Sequence, residues 1–156
     1  MKNKIIYITL NILCIFSIVG CSFNQKVEIQ QNDNNENIEK YSREVISSVK
    51  ILIDDKEYAI DLENNETVKA FINLLPQEFN MNELNNNEKY VYLDSSLPTN
   101  SSNPKQINAG DVMLYGNNCL VIFYKSFDTS YSYTKIGHID NLPNLGNGSI
   151  TVKIEK

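Results

Sequence analysis

Apolar and polar residues alternate in short runs along most of the chain beyond residue 45, with the period of two that is typical of β-strands. The first two runs have apolar residues at Val49, Ile51 and Ile53, and then at Tyr58, Ile60 and Leu62. The polar residues 54–57 separate these runs. The pattern predicts a β-hairpin with its turn at residues 54–57.

A helical period follows the hairpin. Apolar side chains with the spacing i, i+3, i+4 and i+7 stand at Val68, Phe71, Ile72 and Leu75. Asn64 or Asn65 is a suitable N-cap, Glu66 places a negative charge in the first turn, and Pro76 ends the segment. We predict one main amphipathic helix over about residues 66–75, which must pack on a sheet because it is too short to be stable alone.

Further β-type runs cover residues 79–84, 90–93, 112–115, 120–124, 131–136 and 150–154. Asparagine and glycine, which tolerate positive φ, separate several of them. With the hairpin, the chain has seven or eight short strands and one clear helix. The predicted fold class is mainly β, a closed or nearly closed small antiparallel β-barrel, since closure removes exposed strand edges.

The N-terminus has the composition of a bacterial lipoprotein signal. Lys2 and Lys4 precede a mostly apolar run over residues 5–19, and Gly20 stands directly before Cys21. We expect cleavage between Gly20 and Cys21, so that the signal spans the first 20 residues, and a diacylglyceryl group on the cysteine thiol. The alternative is a transmembrane anchor, but a span needs about 20 apolar residues and this run is shorter.

We expect the chain to be anchored in the membrane through lipidated Cys21, because two acyl chains give stable attachment. The expected location is the extracytoplasmic face of the cell membrane. Residues 21–44 are polar and lack hydrophobic periodicity, so we interpret them as a tether; a partner-binding tail is the alternative. The folded domain is then residues 45–156.

Charge and cysteine content narrow the possible chemistry. The formal net charge is −5, and loss of Lys2 and Lys4 with the signal makes it −7, which argues against nucleic acid as a partner. Cys119 is the only cysteine left unmodified after processing, so no intrachain disulfide is expected. Its apolar neighbours predict a buried, inert thiol rather than a nucleophile. No spacing typical of a metal or cofactor site is present, and none is predicted.

Three stretches carry more specific motifs. Residues 65–98 include Thr-Val-Lys-Ala-Phe-Ile-Asn-Leu-Leu-Pro, residues 110–115 read Gly-Asp-Val-Met-Leu-Tyr, and residues 130–137 read Ser-Tyr-Ser-Tyr-Thr-Lys-Ile-Gly. Together they resemble the bacterial cyclophilin-like domain family over about residues 48–155. The resemblance implies a small cyclophilin-type β-barrel with a helix covering one end.

The resemblance does not imply peptidyl-prolyl isomerase activity. True cyclophilins resemble one another in a Phe-His-Arg-type motif and in a tryptophan and a histidine beside the proline pocket. This chain has no Phe-His-Arg and no tryptophan, and its single arginine is Arg43, in or beside the tether. Isomerisation needs a donor to the prolyl nitrogen, and the strongest donor is missing here.

The best candidates for a ligand-binding site lie on two successive β-type runs: Phe123, Tyr124, Tyr131, Tyr133, Lys135 and His138. If these runs pair, their rings line a groove suited to an extended peptide or a ring-shaped ligand. Aromatic packing across the strands is the alternative. For His138 a solvated strand end is favoured over a base or metal ligand, and Asp111 is interpreted as a turn residue beside Gly110.

The predicted function is therefore a lipid-anchored, non-catalytic module that binds a peptide or a small ligand. Two alternatives stay open, a peptidyl-prolyl cis-trans isomerase and a structural or accessory lipoprotein without a small ligand.

Overall fold

The computed structural model describes residues 46–156, so the predicted signal, the lipid site at Cys21 and the tether lie outside the described residues. Within them the chain forms one helix and ten strands. The helix is α1 (Glu66–Leu74). The strands are β1 (Ser48–Ile53), β2 (Lys56–Leu62), β3 (Gln77–Leu84), β4 (Glu88–Tyr92), β5 (Gln106–Ile107), β6 (Asp111–Tyr115), β7 (Cys119–Phe123), β8 (Phe127–Asp128), β9 (Thr134–His138) and β10 (Ile150–Glu155).

Eight strands close into an antiparallel barrel in the order β1-β10-β3-β4-β7-β6-β9-β2. Inward-facing aliphatic side chains fill it, among them Ile51, Ile60, Leu114, Ile122 and Val152. The predicted fold class is confirmed. The two short strands β5 and β8 pair outside the barrel and were not predicted.

The β1–β2 hairpin turns more tightly than the sequence indicated. Asp54 and Asp55 are its two turn residues, with φ of 47° and 65°, and β2 already begins at Lys56. Positive φ at both central residues matches the right-handed twist of the flanking strands. The prediction of a turn over residues 54–57 was therefore wrong by two residues.

Helix α1 agrees with its prediction to within one residue. The Asn65 side chain caps it by accepting a hydrogen bond of 2.9 Å from the Val68 backbone N–H. Val68 and Phe71 are buried in the barrel core, and the buried Thr67 hydroxyl donates to the Pro98 carbonyl at 2.7 Å. Because capping and packing act together, the short helix is held on the barrel.

The ninth strand lies later than predicted. The sequence pattern placed a strand at residues 131–136, whereas β9 begins at Thr134. Tyr133 instead pairs with Ser102 through two backbone hydrogen bonds of 2.9 and 3.0 Å. Ser102, a loop residue far away in sequence, therefore binds the Tyr133 backbone N–H and C=O groups that a longer β9 would have paired with a neighbouring strand.

A second apolar cluster lies on the outer surface of β6 and β7. Alternate residues point away from the barrel core, and the cluster contains Ile107, Met113, Cys119, Val121, Phe123 and Tyr133. The prediction of a buried thiol at Cys119 is confirmed, since its exposed fraction is 6%. Burial, followed by the nearby negative charge of Glu88, raises the pKa of this thiol, which favours its uncharged, unreactive form at neutral pH.

Among residues 46–156, no helix is long and apolar enough to cross a membrane.

Candidate ligand-binding groove

An open cavity of about 300 Å³ lies on the outer surface of strands β4, β7 and β6. Six aromatic rings line it: Tyr90, Tyr92, Tyr115, Phe127, Tyr131 and Tyr133. We call this cavity the tyrosine groove. Its volume is at the lower end of the range of about 300–1,000 Å³ for small-molecule sites.

Strand register explains why a groove forms here. Tyr92 on β4 and Tyr115 on β6 are both paired with Cys119 on the central strand β7. One step along, Tyr90 is paired with Val121. Small side chains therefore make the floor, and large rings rise from strands about 10 Å apart, twice the usual strand spacing.

The rings meet at steep angles rather than in stacks. Tyr90 and Tyr92 have their centroids 5.9 Å apart and their planes at 81°. Tyr115 and Tyr131 are 6.1 Å apart at 89°, and Tyr115 and Tyr133 are 5.6 Å apart at 51°. Edge-to-face contacts of this kind are favourable. As a result, the faces of neighbouring tyrosine rings point in different directions.

Exposed apolar surface is concentrated at this groove. Of five large apolar residues exposed within residues 46–156, four line it: Leu84, Tyr92, Tyr115 and Tyr131. The fifth, Ile46, does not. Clustering of exposed rings around one concavity is a feature of interaction sites, whereas scattered exposure is not.

Polar groups stand at the end of the groove where the β3–β4 turn joins β4. Glu88, which is paired with Phe123 across the strands, lines the groove together with Asn85 and Asn87. Burial, followed by the negative charge of Glu83, raises the pKa of the Glu88 carboxyl to about 7. The Oδ1 atom of Asn87 is buried and has no hydrogen-bond partner among the described residues.

The Glu88 carboxyl should make stability depend on pH. Its folded pKa of about 7 lies above the unfolded value of about 4.3. The folded state thus holds the proton longer, and the free energy of unfolding falls as pH rises through this window. Glu88→Gln should abolish this fall and, at pH 8, raise the free energy of unfolding by about 1 kcal/mol after allowance for solvent screening of the half-buried group.

Urea unfolding at pH 5 and at pH 8 measures this effect. Glu57→Gln removes the same charge from an exposed position on β2 and should leave the wild-type pH dependence in place. A Glu88→Gln variant with unchanged pH dependence would contradict the assignment.

The structure brings only some of the predicted site residues together. Tyr131 and Tyr133 line the groove. Phe123 is fully buried beneath it, with its ring 5.5 Å from that of Tyr133 and 5.6 Å from that of Phe127. The three rings lie together, but the predicted pairing of the two aromatic runs was wrong, because β7 pairs with β4 and β6 and Tyr133 pairs with Ser102.

Tyr124 points to the other side of β7 and lies outside the groove. Its hydroxyl donates to both Glu83 carboxylate oxygens at 2.8 Å. The Glu83 carboxylate also accepts from the fully buried Lys89 ammonium at 2.5 Å. Burial, followed by the hydrogen bond to Glu83, raises the pKa of Tyr124 to about 12. Tyr124 therefore belongs to a structural network.

Lys135 and His138 form a third group around Asp111. The Lys135 ammonium is 3.8 Å from the Asp111 carboxylate, and the His138 ring nitrogen Nδ1 is 3.1 Å from it. Asp111 is buried and accepts from the Asn108 N–H at 2.8 Å. This agrees with its predicted role beside the Gly110 turn and adds a contact between the buried Asp111 carboxylate and the partly exposed His138 ring. Lys135 is paired with Met113 on the outer surface of the sheet but does not line the groove.

Several groove residues were not among the sequence candidates: Leu84, Glu88, Tyr90, Tyr92, Tyr115 and Phe127. The alternation of Glu88, Tyr90 and Tyr92 was a usable signal for one polar-aromatic strand face. The placement of β4 beside β7 could not be predicted in this way, because the two strands are far apart in sequence. Among the described residues, no three His, Cys, Asp or Glu side chains form a group that could hold a metal ion.

Comparison with known proteins gives two matches. The model of the Cyclophilin-like family matches residues 51–155. Among solved structures, the solution structure of the hypothetical protein AF2241 from Archaeoglobus fulgidus is similar, with a TM-score of 0.55 and 19% sequence identity over 70% of this chain and 93% of that chain. At this identity the likeness concerns the fold alone. The comparison with curated proteins found no match.

Proposed function

We propose, from the premise that the chain belongs to the cyclophilin-like family, that its barrel is a non-catalytic binding module with its ligand in the tyrosine groove. The observation that carries the proposal is the convergence of four exposed apolar side chains on one concave surface. Exposed rings in water cost free energy, and a ligand that covers them recovers it.

The lining favours binding over prolyl isomerisation. Isomerisation needs a donor directed at the prolyl nitrogen. No Lys or Arg contributes to the groove lining among the described residues. The polar groups of the lining are the Glu88 carboxyl, two asparagine amides and the tyrosine hydroxyls, none of which is a cationic donor. Such a surface suits recognition, and fold membership alone does not add catalysis.

The site can be tested by titrating small aromatic and apolar fragment molecules into the full chain in a non-ionic maltoside detergent. Backbone amide chemical shifts, measured by NMR, report where each fragment binds. Fragments that bind should shift amides of β4, β6 and β7. Tyr131→Ala should weaken the best of them at least about tenfold, because it removes an exposed ring from the groove wall. Ile46→Ala, an exposed apolar residue outside the groove, should leave affinity unchanged. Binding confined to another surface, or equal effects of both variants, would contradict the proposal.

The proposed setting is the extracytoplasmic face of the cell membrane, with the barrel tethered through lipidated Cys21. The support is the signal pattern of the first 21 residues. We expect Cys21→Ala to leave the precursor uncleaved or to release the chain from the membrane, because the acceptor thiol is gone. Fractionation and mass spectrometry of the N-terminus measure this, with Cys119→Ala as the matched cysteine control. A Cys21→Ala chain that is still processed and membrane-bound would show that the anchor lies elsewhere.

A further inference from the structure

Resting on the proposed function, we infer that the tyrosine groove selects an organic cation, an ammonium group carried on a small apolar frame.

The aromatic walls favour positive charge. The face of an aromatic ring carries negative electrostatic potential, and a cation within about 6 Å of the ring centroid is attracted to it. In this groove Tyr90 and Tyr92 meet at 81°, and Tyr115 and Tyr131 at 89°. Rings at right angles offer faces on several sides of one volume, as in the aromatic cages that hold quaternary ammonium groups.

The polar groups of the lining have the same preference. Glu88 contributes a carboxyl to the lining, and Asn87, another lining residue, has a buried carbonyl oxygen with no donor. Buried acceptors without donors are uncommon in folded proteins. The basic side chain nearest to them along β4, Lys89, points into the barrel, where Glu83 and the carbonyls of Gly146 and Gly148 hold it.

Glu88 has no basic partner among the described residues, because Lys89, its neighbour on β4, is already paired with Glu83. The negative charge of Glu83 on β3 adds to the larger effect of burial in raising the pKa of Glu88. Glu88 in turn contributes to the raised pKa of Cys119 on β7 and of Tyr133, again after burial. An ammonium beside Glu88 would stabilise its carboxylate form, so it would relieve a cost that a neutral ligand leaves in place.

Matched pairs of probes test the charge preference directly. Choline and its neutral isostere 3,3-dimethylbutan-1-ol represent a small organic cation and its control. Nα-acetyl-lysine methylamide, which keeps its side-chain ammonium, and Nα-acetyl-norleucine methylamide represent a basic peptide side chain and its neutral control. Each is titrated into the full chain in maltoside detergent at pH 8 and constant ionic strength, with amide and tyrosine ring shifts as the readout.

We expect at least one cation to bind the groove at least about tenfold more tightly than its neutral partner. Glu88→Gln should reduce that ratio at least about threefold, and Glu57→Gln should not. Preference for choline would assign the ligand to small ammonium compounds, and preference for the lysine amide would assign it to a basic peptide.

Equal binding of charged and neutral partners in the groove would overturn the inference and leave the proposed function intact. A cation preference that Glu88→Gln does not change would overturn the role of the carboxyl. Absence of any groove binding by these probes, together with a fragment screen that finds none, would overturn the proposed function itself.

Discussion

Replacing Lys89 with methionine should lower the free energy of unfolding by about 3–5 kcal/mol, the usual cost of removing one partner from a buried ion pair. The Lys89 side chain has no exposed surface. Its ammonium group has three donors, and three acceptors surround it: Glu83 Oε2 at 2.5 Å and the carbonyls of Gly146 and Gly148 at 2.7 Å. Methionine fills a similar volume but leaves all three acceptors without this donor.

The Glu83 carboxylate shows how the network is balanced. Burial alone would raise its pKa, but hydrogen bonds from Lys89 and Tyr124 outweigh that effect and hold the pKa below its usual value. A lowered folded pKa contributes stability above the unfolded pKa of about 4.3, and this stability is lost as pH falls through the folded pKa. Without Lys89, the burial of Glu83 acts against its charged form, so the variant should gain stability when this carboxyl takes up a proton as the pH falls toward 4. The difference between the wild type and Lys89→Met should therefore shrink between pH 7 and pH 4.

Urea unfolding followed by far-ultraviolet circular dichroism measures both effects. Lys69→Met is the matched control, because Lys69 is exposed and pairs with Glu66 one helical turn away; its expected cost is below about 0.5 kcal/mol. Adding Glu83→Gln to Lys89→Met should recover part of the loss, since the unpaired charge is then gone. An equal loss at pH 7 and pH 4 would indicate a packing defect rather than a broken ion pair.

Local signals in the sequence were sufficient for most elements of the barrel. Helix α1 has its cap, its apolar stripe and its terminating proline within about a dozen residues, so its bounds could be predicted closely. The hairpins β1–β2 and β6–β7 likewise join neighbouring runs. By contrast, β5 and β8 are two residues long, which is too short for a periodic pattern to be visible.

One wall of the groove depends on a pairing that no local pattern encodes. Tyr115 is paired with Cys119 across the local β6–β7 hairpin, whereas Tyr92 is paired with Cys119 only because the barrel places β4 beside β7. Tyr131 and Tyr133 could be named from sequence because they follow the aromatic end of β7. Lys135 was grouped with them on the assumption of one continuous strand. In the structure Tyr133 pairs with Ser102, and the Lys135 ammonium lies beside Glu63 and Asp111 instead of in the groove.

Gly137 lies in the shortest strand pairing of the barrel. Gly137→Ala should lower the free energy of unfolding by about 3 kcal/mol, the upper end of the usual cost of overpacking. Strands β2 and β9 are paired at only two positions, Asp61 with His138 and Leu62 with Gly137. A Cβ atom at Gly137 would lie 2.3 Å from the Asp61 carbonyl oxygen and 2.8 Å from the Ile60 side chain. The first of these is backbone, so relief requires the two strands to separate.

Hydrogen exchange distinguishes this mechanism from a general loss of stability. In Gly137→Ala, the amide of Glu63 should lose protection before those of β4 and β7, because it donates to the Ile136 carbonyl across this seam, whereas the Leu62 amide donates to Ser47 on the opposite side of β2. Gly116→Ala is the control, since a Cβ atom there meets nothing within 4 Å although φ is +60°. It should cost about 1–2 kcal/mol through backbone strain alone and leave the seam protected. Uniform loss of protection in Gly137→Ala would contradict a local seam, because a barrel that opens at its shortest pairing must expose that pairing first.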